Sequence, residues 1–366
     1  MTRVVITGAN GFLGWHLRAL LHGVPGVEGI PVPREAWDRP EALEALLSGA
    51  DAVVHLAGMN RGKEEEVAAV NLWLAEQLAN TLEKVGRRPR LVFANSIHCR
   101  RNTPYGRSKQ QAARRLADWA ARARAPFLNL ILPHVFGEGG RPFYNSVVHT
   151  FCHQLARGEF PKVEHDSELQ LLHAQTVAEI ILQGIREGRS GDLEPEGTPL
   201  RVSQLLRILK QLAENYERLV LPDLRDPLCL SLFNTYRSFL FPERYPVPLQ
   251  LHQDERGKLF EAVKSLNPGQ IYISTTQPGH RRGRHYHRRK VERFLVMQGT
   301  AEIRVRRLFS DEVIRFNVQG REPAFIDIPT LHTHDITNTG EEPLWTLFWA
   351  NELFDPASPD TYRMDV

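Results

Sequence analysis

The sequence is poor in cysteine: Cys99, Cys152 and Cys229 are widely spaced and odd in number. Without a CxxC pair they exclude a disulfide framework and a cysteine-based metal site, and they indicate free thiols in a reducing compartment. The sequence also lacks an apolar run of the roughly eighteen residues that a membrane span needs, and no charged leader precedes its first apolar run. These absences predict a cytoplasmic protein with no membrane partner.

A surplus of charge of one sign is missing too. Lys and Arg number 46 against 43 Asp and Glu, which gives a formal net charge of +3. So small an excess does not indicate a nucleic-acid partner. The 366 residues, 42% of them hydrophobic and 24% charged, are enough to form two cores, and we expect two domains.

The pattern of apolar runs changes along the chain. Up to about residue 190, short apolar runs such as VVIT and DAVVHLAG alternate with helical stretches, which predicts an α/β Rossmann-type doubly wound parallel sheet. The pattern then weakens to one amphipathic helix, VSQLLRILKQLAENY, before the proline-bearing stretch Phe241–Pro248. Beyond it, short β-branched and aromatic runs predict a small all-β barrel. We therefore expect domains at 1–244 and 245–366.

The first apolar run leads into a glycine-rich loop, VVITGANGFLG, with glycines at 8, 11 and 14. Gly8 would permit a tight turn, Gly11 would let the backbone approach a pyrophosphate, and Gly14 would allow close helix packing. Phosphate charge would lie at the helix N-terminus, beside Phe12 and Leu13. The loop predicts a dinucleotide-binding site.

This glycine spacing resembles the extended branch of the short-chain dehydrogenase/reductase superfamily, and further motifs of that superfamily follow in order. Leu56 and Ala57, within HLAG, match its cofactor-lining strand end, Ser96 matches its catalytic hydroxyl, and Tyr105 and Lys109 match its Tyr-x-x-x-Lys pair. Hydride arriving at a carbonyl carbon creates an oxyanion, which a tyrosine can protonate if its pKa is lowered from about 10. We expect Lys109 to lower that pKa and Ser96 to hold the carbonyl oxygen. Tyr105 and Lys109 would also contact the cofactor.

The choice of cofactor depends on Arg34, which follows the second predicted strand, EGIPV. An arginine in this place accommodates the 2′-phosphate of NADP, so we predict NADPH. Asn71 lies where the superfamily keeps an asparagine, and Arg141 and Asn145 lie in a segment resembling the one that covers the nucleotide part of a sugar substrate. These three residues are candidate substrate contacts.

The residues after Ser96 narrow the reaction. The chain reads Ile97-His98, whereas the sugar-nucleotide 4,6-dehydratases of the superfamily have an Asp-Glu pair for water elimination. A reductase or an epimerase acting at a ketone therefore remains.

A second group of motifs lies near the C-terminus. His285-x-His287 is followed by Glu292 and, 42 residues later, by His334. This pattern resembles the cupin superfamily, whose barrel gathers three histidines and one glutamate around a divalent metal. The donors suit Zn, Mn, Fe or Ni, and we expect Zn. Leu331 stands where cupins usually have glycine, and because leucine resists φ > 0 we expect a turn of another type.

A reductase of this superfamily fused to a cupin resembles the CapF family of capsular-polysaccharide enzymes. The segments VVHLAGMNR, PYGRSK, FYNSV with TFC, and NELFDPASPDTY add to the resemblance. The resemblance implies a bifunctional enzyme of UDP-N-acetyl-L-fucosamine synthesis. Its cupin would invert C3 of a UDP-linked 4-keto-6-deoxy-N-acetylhexosamine, and its front domain would reduce the C4 ketone with NADPH to UDP-2-acetamido-2,6-dideoxy-L-talose.

The residues leave alternatives open. The protein could be a one-step reductase whose cupin serves only as a dimerisation module, or a cofactor-sensing regulatory protein. The acid and base for C3 are not identified among four candidates, Tyr272, Tyr286, Lys290 and His332. We also expect a homodimer formed through the cupin domain, whose aromatic run PLWTLFWA would suit an interface.

Overall fold

A computed structural model of the chain describes residues 1–255 and 257–366, which form two compact units. The first unit contains Met1–Phe136, Gly140–Val147 and Ser167–Arg201. The second contains Gly137–Gly139, Val148–Asp166 and Val202–Val366. The boundary between residues 244 and 245 stays a prediction.

The helices of the described residues alternate with strands in the first half of the chain and cease before the last third. They are α1 Phe12–His22, α2 Pro40–Ser48, α3 Glu64–Val85, α4 Pro104–Ala123, α5 Val147–Ala156, α6 Ala174–Glu187, α7 Val202–Glu217 and α8 Pro227–Arg237, with 3-10 helices at Arg34–Asp38 and Ile97–Arg100. No helix within 1–255 or 257–366 is both long and apolar enough to cross a membrane.

The strands continue to the end of the chain. They are β1 Thr2–Thr7, β2 Val27–Pro31, β3 Ala52–His55, β4 Arg90–Ser96, β5 Phe127–Leu132, β6 His134–Phe136, β7 Glu168–His173, β8 Gly191–Leu193, β9 Thr198–Arg201, β10 Val220–Leu221, β11 Val247–Pro248, β12 His252–Asp254, β13 Gly257–Leu259, β14 Lys264–Ser265, β15 Gln270–Thr276, β16 Arg281–Tyr286, β17 Glu292–Gln298, β18 Thr300–Arg307, β19 Val313–Gln319, β20 Ala324–Ile328, β21 His332–Asn338, β22 Leu344–Ala350 and β23 Tyr362–Arg363.

The first unit is built on a parallel sheet with the strand order β2-β1-β3-β4-β5-β8. Its four inner strands, β1, β3, β4 and β5, are mostly buried, whereas the edge strands β2 and β8 are partly exposed. One core contains Leu17 of α1 and Ile181 of α6, and the other contains Leu78 of α3 and Leu116 of α4. The predicted Rossmann-type fold is confirmed, and the carboxyl ends of β1, β3 and β4 share one edge.

The second unit contains two five-stranded antiparallel sheets, β11-β20-β17-β22-β15 and β19-β18-β21-β16-β23. Apolar side chains of both sheets form one core, among them Phe294 of β17 and Ile303 of β18. The predicted all-β cupin barrel is confirmed. In β17 alternate side chains point to opposite faces, so Glu292 and Arg293 face opposite ways.

One helix of the second unit, α8, was not predicted from the sequence. It begins at Pro227, and the carboxylate of the preceding Asp226 caps the helix by accepting from Cys229 N at 2.8 Å. Its buried face includes Asn234 and Arg237, and Arg237 donates to the Ile328 carbonyl at 2.7 Å. These buried polar residues break the apolar period that identifies a helix in a sequence.

Candidate nicotinamide site and candidate metal centre

The glycine loop joins β1 to α1 and is too tight for side chains. Gly8 has φ +68°, and a Cβ there would lie 2.7 Å from Ala57 N. A Cβ on Gly14 would lie 2.2 Å from the Gly8 carbonyl oxygen. Gly11 is the N-cap of α1 and has no side chain that could block the approach of a ligand to the first turn of the helix. The loop therefore fits a pyrophosphate held by backbone amides.

The end of β3 is fixed against this loop by polar contacts. Thr7 Oγ1 contacts His55 Nδ1 at 2.7 Å and accepts from Ala57 N at 3.2 Å. Burial, helped by the charge of Lys109, lowers the pKa of His55 to about 3, so this histidine is neutral. The contacts hold Leu56 and Ala57 beside the glycine loop, and their contact with a cofactor stays a prediction.

Asn71 of α3 holds the loop that follows β3. Its Oδ1 accepts from Met59 N at 2.8 Å and its Nδ2 donates to Met59 O at 2.9 Å. Since both ends of the amide bind backbone, Asn71 positions this loop in the structure, and its contact with substrate stays a prediction. Arg61 of the same loop lies 5.4 Å from the ring centroid of Tyr144.

The predicted catalytic residues meet at the carboxyl edge of the sheet. Ser96 ends β4, and Tyr105 and Lys109 lie one turn apart near the start of α4. Ser96 Oγ accepts from His98 N at 3.3 Å, while Lys109 Nζ donates to the Ala94 carbonyl at 2.7 Å. The geometry therefore brings a hydroxyl, a phenol and an ammonium group together.

The electrostatics of Tyr105 differ from the expectation. Burial raises its pKa, and hydrogen bonding with Ser96 opposes this only in part. Burial also lowers the pKa of Lys109 to about 7, so the lysine that was expected to lower the pKa of Tyr105 is itself only partly charged near neutral pH. Asn60 Oδ1 lies 3.4 Å from the Tyr105 hydroxyl, a neighbour that no motif indicated.

The remaining predicted contacts of the first unit are exposed. Arg34 begins the 3-10 helix after β2, on the carboxyl edge of the sheet where a ribose would lie. Arg141 lies 6.0 Å from the Tyr144 ring centroid, and Asn145 follows in the same loop. The three polar groups are accessible, and their contacts with ligands stay predictions.

The four predicted metal ligands, His285, His287, Glu292 and His334, do come together, and we call them the metal cage. One donor atom from each lies within 4.8 Å of the others. Glu292 Oε2 lies 2.9 Å from His287 Nε2 and 3.5 Å from His334 Nε2. Zinc binds such donors at about 2.0–2.2 Å, so small shifts would let all four share one ion. The cage fits a divalent metal, whose presence and identity stay predictions.

Backbone groups outside the cage orient the three imidazoles by hydrogen bonds. His287 Nδ1 contacts the Asp360 carbonyl at 2.6 Å, His334 Nδ1 contacts the His332 carbonyl at 3.3 Å, and His285 hydrogen-bonds the backbone of Gly283. A ring nitrogen bonded to a carbonyl carries the proton, which leaves the other nitrogen free to bind a metal. For His287 and His334 the other nitrogen is the Nε2 that faces Glu292. Burial opposes charge on His287, yet the contact with Glu292 raises the pKa of this imidazole, so its Nε2 donates to the carboxylate, and a metal would replace that proton.

The metal cage favours a neutral imidazole at His285 and an ionised carboxylate at Glu292. Burial lowers the pKa of His285 to about 3, assisted by the neighbouring His334 and His287. Burial opposes charge on Glu292, yet the contact with His287 outweighs it and holds the pKa of this carboxyl well below its ordinary value. Tyr272 donates to Glu292 Oε1 at 2.7 Å. A buried carboxylate among imidazoles is a donor set that divalent metals accept.

The turn before His334 corrects one expectation. Leu331 has φ +59°, so the turn is left-handed although it carries leucine in place of glycine. Its side chain is fully buried, and its N–H donates to the His287 carbonyl at 2.8 Å. Burial and this hydrogen bond outweigh the local strain, which is why the rule against leucine failed.

The arginines around the cage are engaged with the protein itself. Arg281 pairs with Asp335, Arg284 with Asp365, and Arg289 with Glu352. The pairing neutralises these arginines only in part, because Asp335 is shared with Arg304.

Comparison with known proteins matches a family model to each of the two halves of the chain. Residues 4–194 match the NAD dependent epimerase/dehydratase family, and residues 252–362 match the polysaccharide biosynthesis C-terminal domain. A relative from Pseudomonas aeruginosa, named UDP-2-acetamido-2,6-beta-L-arabino-hexul-4-ose reductase, is 33% identical over 371 residues, which cover 100% of this chain and 99% of the relative.

Two solved structures extend the comparison. The capsular polysaccharide assembling protein CapF from Staphylococcus aureus is 32% identical with a TM-score of 0.63, and the match covers 99% of this chain and 100% of that chain. RMD from Pseudomonas aeruginosa, complexed with NADPH, is 22% identical with a TM-score of 0.53 over 58% of this chain and 85% of its own. At that identity the second similarity shows the fold alone.

Proposed function

Since the chain belongs to the NAD dependent epimerase/dehydratase family, we propose that it is a bifunctional sugar-nucleotide enzyme of capsule polysaccharide synthesis. Its substrate is a UDP-linked 4-keto-6-deoxy-N-acetylhexosamine. The C-terminal domain inverts C3, and the N-terminal domain reduces the C4 ketone with NADPH to UDP-2-acetamido-2,6-dideoxy-L-talose. The observation that carries the proposal is the full-length similarity to a relative named as a UDP-linked hexul-4-ose reductase.

The reduction of the C4 ketone uses three side chains, Ser96 at the end of β4 and Tyr105 and Lys109 on α4. The nicotinamide, when bound at the glycine loop, supplies the hydride. Ser96 holds the carbonyl oxygen by a hydrogen bond, and Tyr105 donates its phenolic proton to that oxygen as negative charge develops there. Lys109 lies one helical turn away, and its protonated form, which is only part of the population near neutral pH, stabilises the phenolate that remains.

NADPH is proposed over NADH because of Arg34. Its guanidinium is exposed just after β2, at the sheet edge where the adenosine ribose of a Rossmann-bound dinucleotide lies. Since a guanidinium binds phosphate oxygens in bidentate fashion, this position favours the 2′-phosphate.

Inversion of C3 is assigned to the cage region. The C3 proton is acidic because it lies next to the C4 ketone, and a divalent metal would supply Lewis acidity in the cage. Tyr286 and Lys290 are fully or almost fully buried, and Lys290 Nζ donates to the Pro359 carbonyl. Tyr272, whose side chain is 37% exposed and whose hydroxyl touches Glu292, is the candidate best placed to exchange a proton with a substrate.

The first test separates the two steps. With NADPH and the 4-keto sugar nucleotide in deuterated buffer, Tyr105→Phe should abolish NADPH oxidation and retain deuterium incorporation at C3, with NMR identifying the product. Tyr236→Phe is the control, since it removes a buried hydroxyl that has no hydrogen-bond partner among the described residues. Full NADPH oxidation by Tyr105→Phe would show that the reductase site is assigned wrongly.

The second test concerns the cage. The double variant His285→Ala/His287→Ala should lose C3 exchange, because it removes two of the four ligands. The control replaces two exposed histidines of the same unit, His252→Ala/His280→Ala. If this variant retained C3 exchange, a metal in the cage would have a structural role and no part in the inversion of C3.

A second candidate function, a one-step reductase with a dimerising cupin, is favoured by one observation. The edge strand β15 exposes Ile271 and Ile273, which are 58% and 52% accessible, and neighbouring β22 exposes Trp345. Such a surface suits a homodimer interface. Analytical ultracentrifugation of Ile273→Lys would test the dimer, and C3 inversion by the wild type would exclude the one-step reading.

A further inference from the structure

The end of the chain packs against the loop that separates two of the proposed metal ligands. β23 pairs with β16 at His285 and Tyr286. Lys290 Nζ, on the loop between His287 and Glu292, donates to the Pro359 carbonyl at 3.0 Å. The cage is therefore braced by residues that no metal-binding motif includes.

Asp360 contacts both the loop and one of the proposed ligands. Its carboxylate accepts three successive backbone N–H groups: Oδ1 accepts from Arg288 at 3.1 Å, and Oδ2 accepts from Arg289 at 2.9 Å and from Lys290 at 2.8 Å. Its carbonyl oxygen lies 2.6 Å from His287 Nδ1. The residue is 2% exposed and has φ +45°, a conformation that aspartate tolerates better than most residues.

These contacts act on one ligand from two directions. Charge-assisted bonds to the three N–H groups fix the backbone directly after His287. The carbonyl accepts from His287 Nδ1 and so fixes the ring with Nε2 aimed at Glu292, the side on which a metal would be bound. A shift of Asp360 would thus change both the position and the orientation of this imidazole.

We propose that Asp360 is a positioning residue of the metal cage, which it holds in the geometry that a divalent cation requires. The inference rests on the proposed metal binding and adds a residue outside the two cupin motifs. Asp360 does not bind the metal itself. It acts through His287 and through the backbone of residues 288–290.

The test measures metal affinity on the full-length chain. Asp360→Gly removes the carboxylate and accepts the positive φ without strain, and Asp360→Asn keeps an acceptor oxygen. Asp226→Gly is the matched control, because it removes another carboxylate of the second unit that accepts a backbone N–H, from Cys229. Protein stripped with a chelator is titrated with Zn²⁺ against a chromogenic competitor, and with Co²⁺ to record the visible absorption of the bound ion.

Asp360→Gly should raise the Kd for Zn²⁺ by about 10- to 100-fold and change the Co²⁺ spectrum, as loss of a residue that orients a ligand does. Asp360→Asn should show a smaller loss, and Asp226→Gly should match the wild type in both readouts. Wild-type affinity and spectrum in Asp360→Gly would overturn the role of Asp360, and if that variant does not fold, the same result in Asp360→Asn would do so. Failure of the wild type to bind stoichiometric Zn²⁺ would instead overturn the metal centre itself.

Discussion

Replacing Leu331 by alanine and by glycine should reverse the usual order of stability of these two residues. Leu331 is fully buried and has φ +59°. Leu295 of β17 is equally buried but is not among the described residues with positive φ, so it serves as the control. The two positions share the loss of a buried side chain and differ in backbone conformation.

The magnitude follows from two opposing effects. Truncating a buried leucine to alanine costs about 2.7–5.0 kcal/mol at either position. At Leu331 alanine also keeps a left-handed strain of about 1–2 kcal/mol, which glycine lacks. Glycine loses about 0.5–1 kcal/mol of chain entropy relative to alanine. Leu331→Gly should therefore have a free energy of unfolding about 0.5–1 kcal/mol higher than that of Leu331→Ala. At Leu295 the order should be the opposite, with the alanine variant more stable than the glycine variant by a similar amount.

The assay is unfolding in urea. It is monitored by hydrogen exchange and mass spectrometry of peptides from β17 and β21, which report on the second unit alone. The quantity compared is the free energy of unfolding of each pair of variants. If Leu331→Ala proved as stable as Leu331→Gly or more so, the left-handed strain at this turn would be refuted.

Three further predictions concern the first unit. Gly14→Ala would place a Cβ 2.2 Å from the Gly8 carbonyl and should weaken NADPH binding in a fluorescence titration. Gly86→Ala, which meets open space and adds only backbone strain at φ +68°, should leave the affinity unchanged, and equal affinities of the two variants would contradict the packing. Arg34→Asp should lower the ratio of kcat/KM for NADPH to that for NADH, and an unchanged ratio would remove the argument for NADPH. Burial lowers the pKa of Lys109 to about 7 from 10.5, so the unfolded chain binds more protons between these values. Stability relative to Lys109→Met should therefore rise with pH in this window, by up to about 1.4 kcal/mol per pH unit, and a flat difference would count against the shift.

Local spacing accounts for what could be predicted from the sequence. Tyr105 and Lys109 are one helical turn apart, and His285 and His287 lie two residues apart in a strand, so the period of the element brings each pair to one face. The glycine loop is equally local. The spacing of apolar runs is local as well, and it predicted both the Rossmann-type sheet and the all-β barrel.

Contacts that join distant parts of the chain could not be predicted. Asp360 lies 73 residues from His287, and no spacing rule relates a tail aspartate to a cage. Leu331 obeys the core rather than its local propensity, since burial of its side chain outweighs the strain of its backbone. The pKa of Lys109 depends on how deeply α4 packs, which sequence alone does not give.

The alternating assignment of segments to the two units has a consequence for synthesis on the ribosome. Residues 148–166 belong to the second unit but emerge before residues 167–201, which complete the first. His149 and His153 of α5 contact the ring of Phe239, which is made much later. Domains that occupy one continuous stretch fold as they emerge. The apolar face of α5 therefore stays exposed until residues 202–366 have been synthesised. We expect chaperones that recognise exposed apolar segments to bind the nascent chain at this helix.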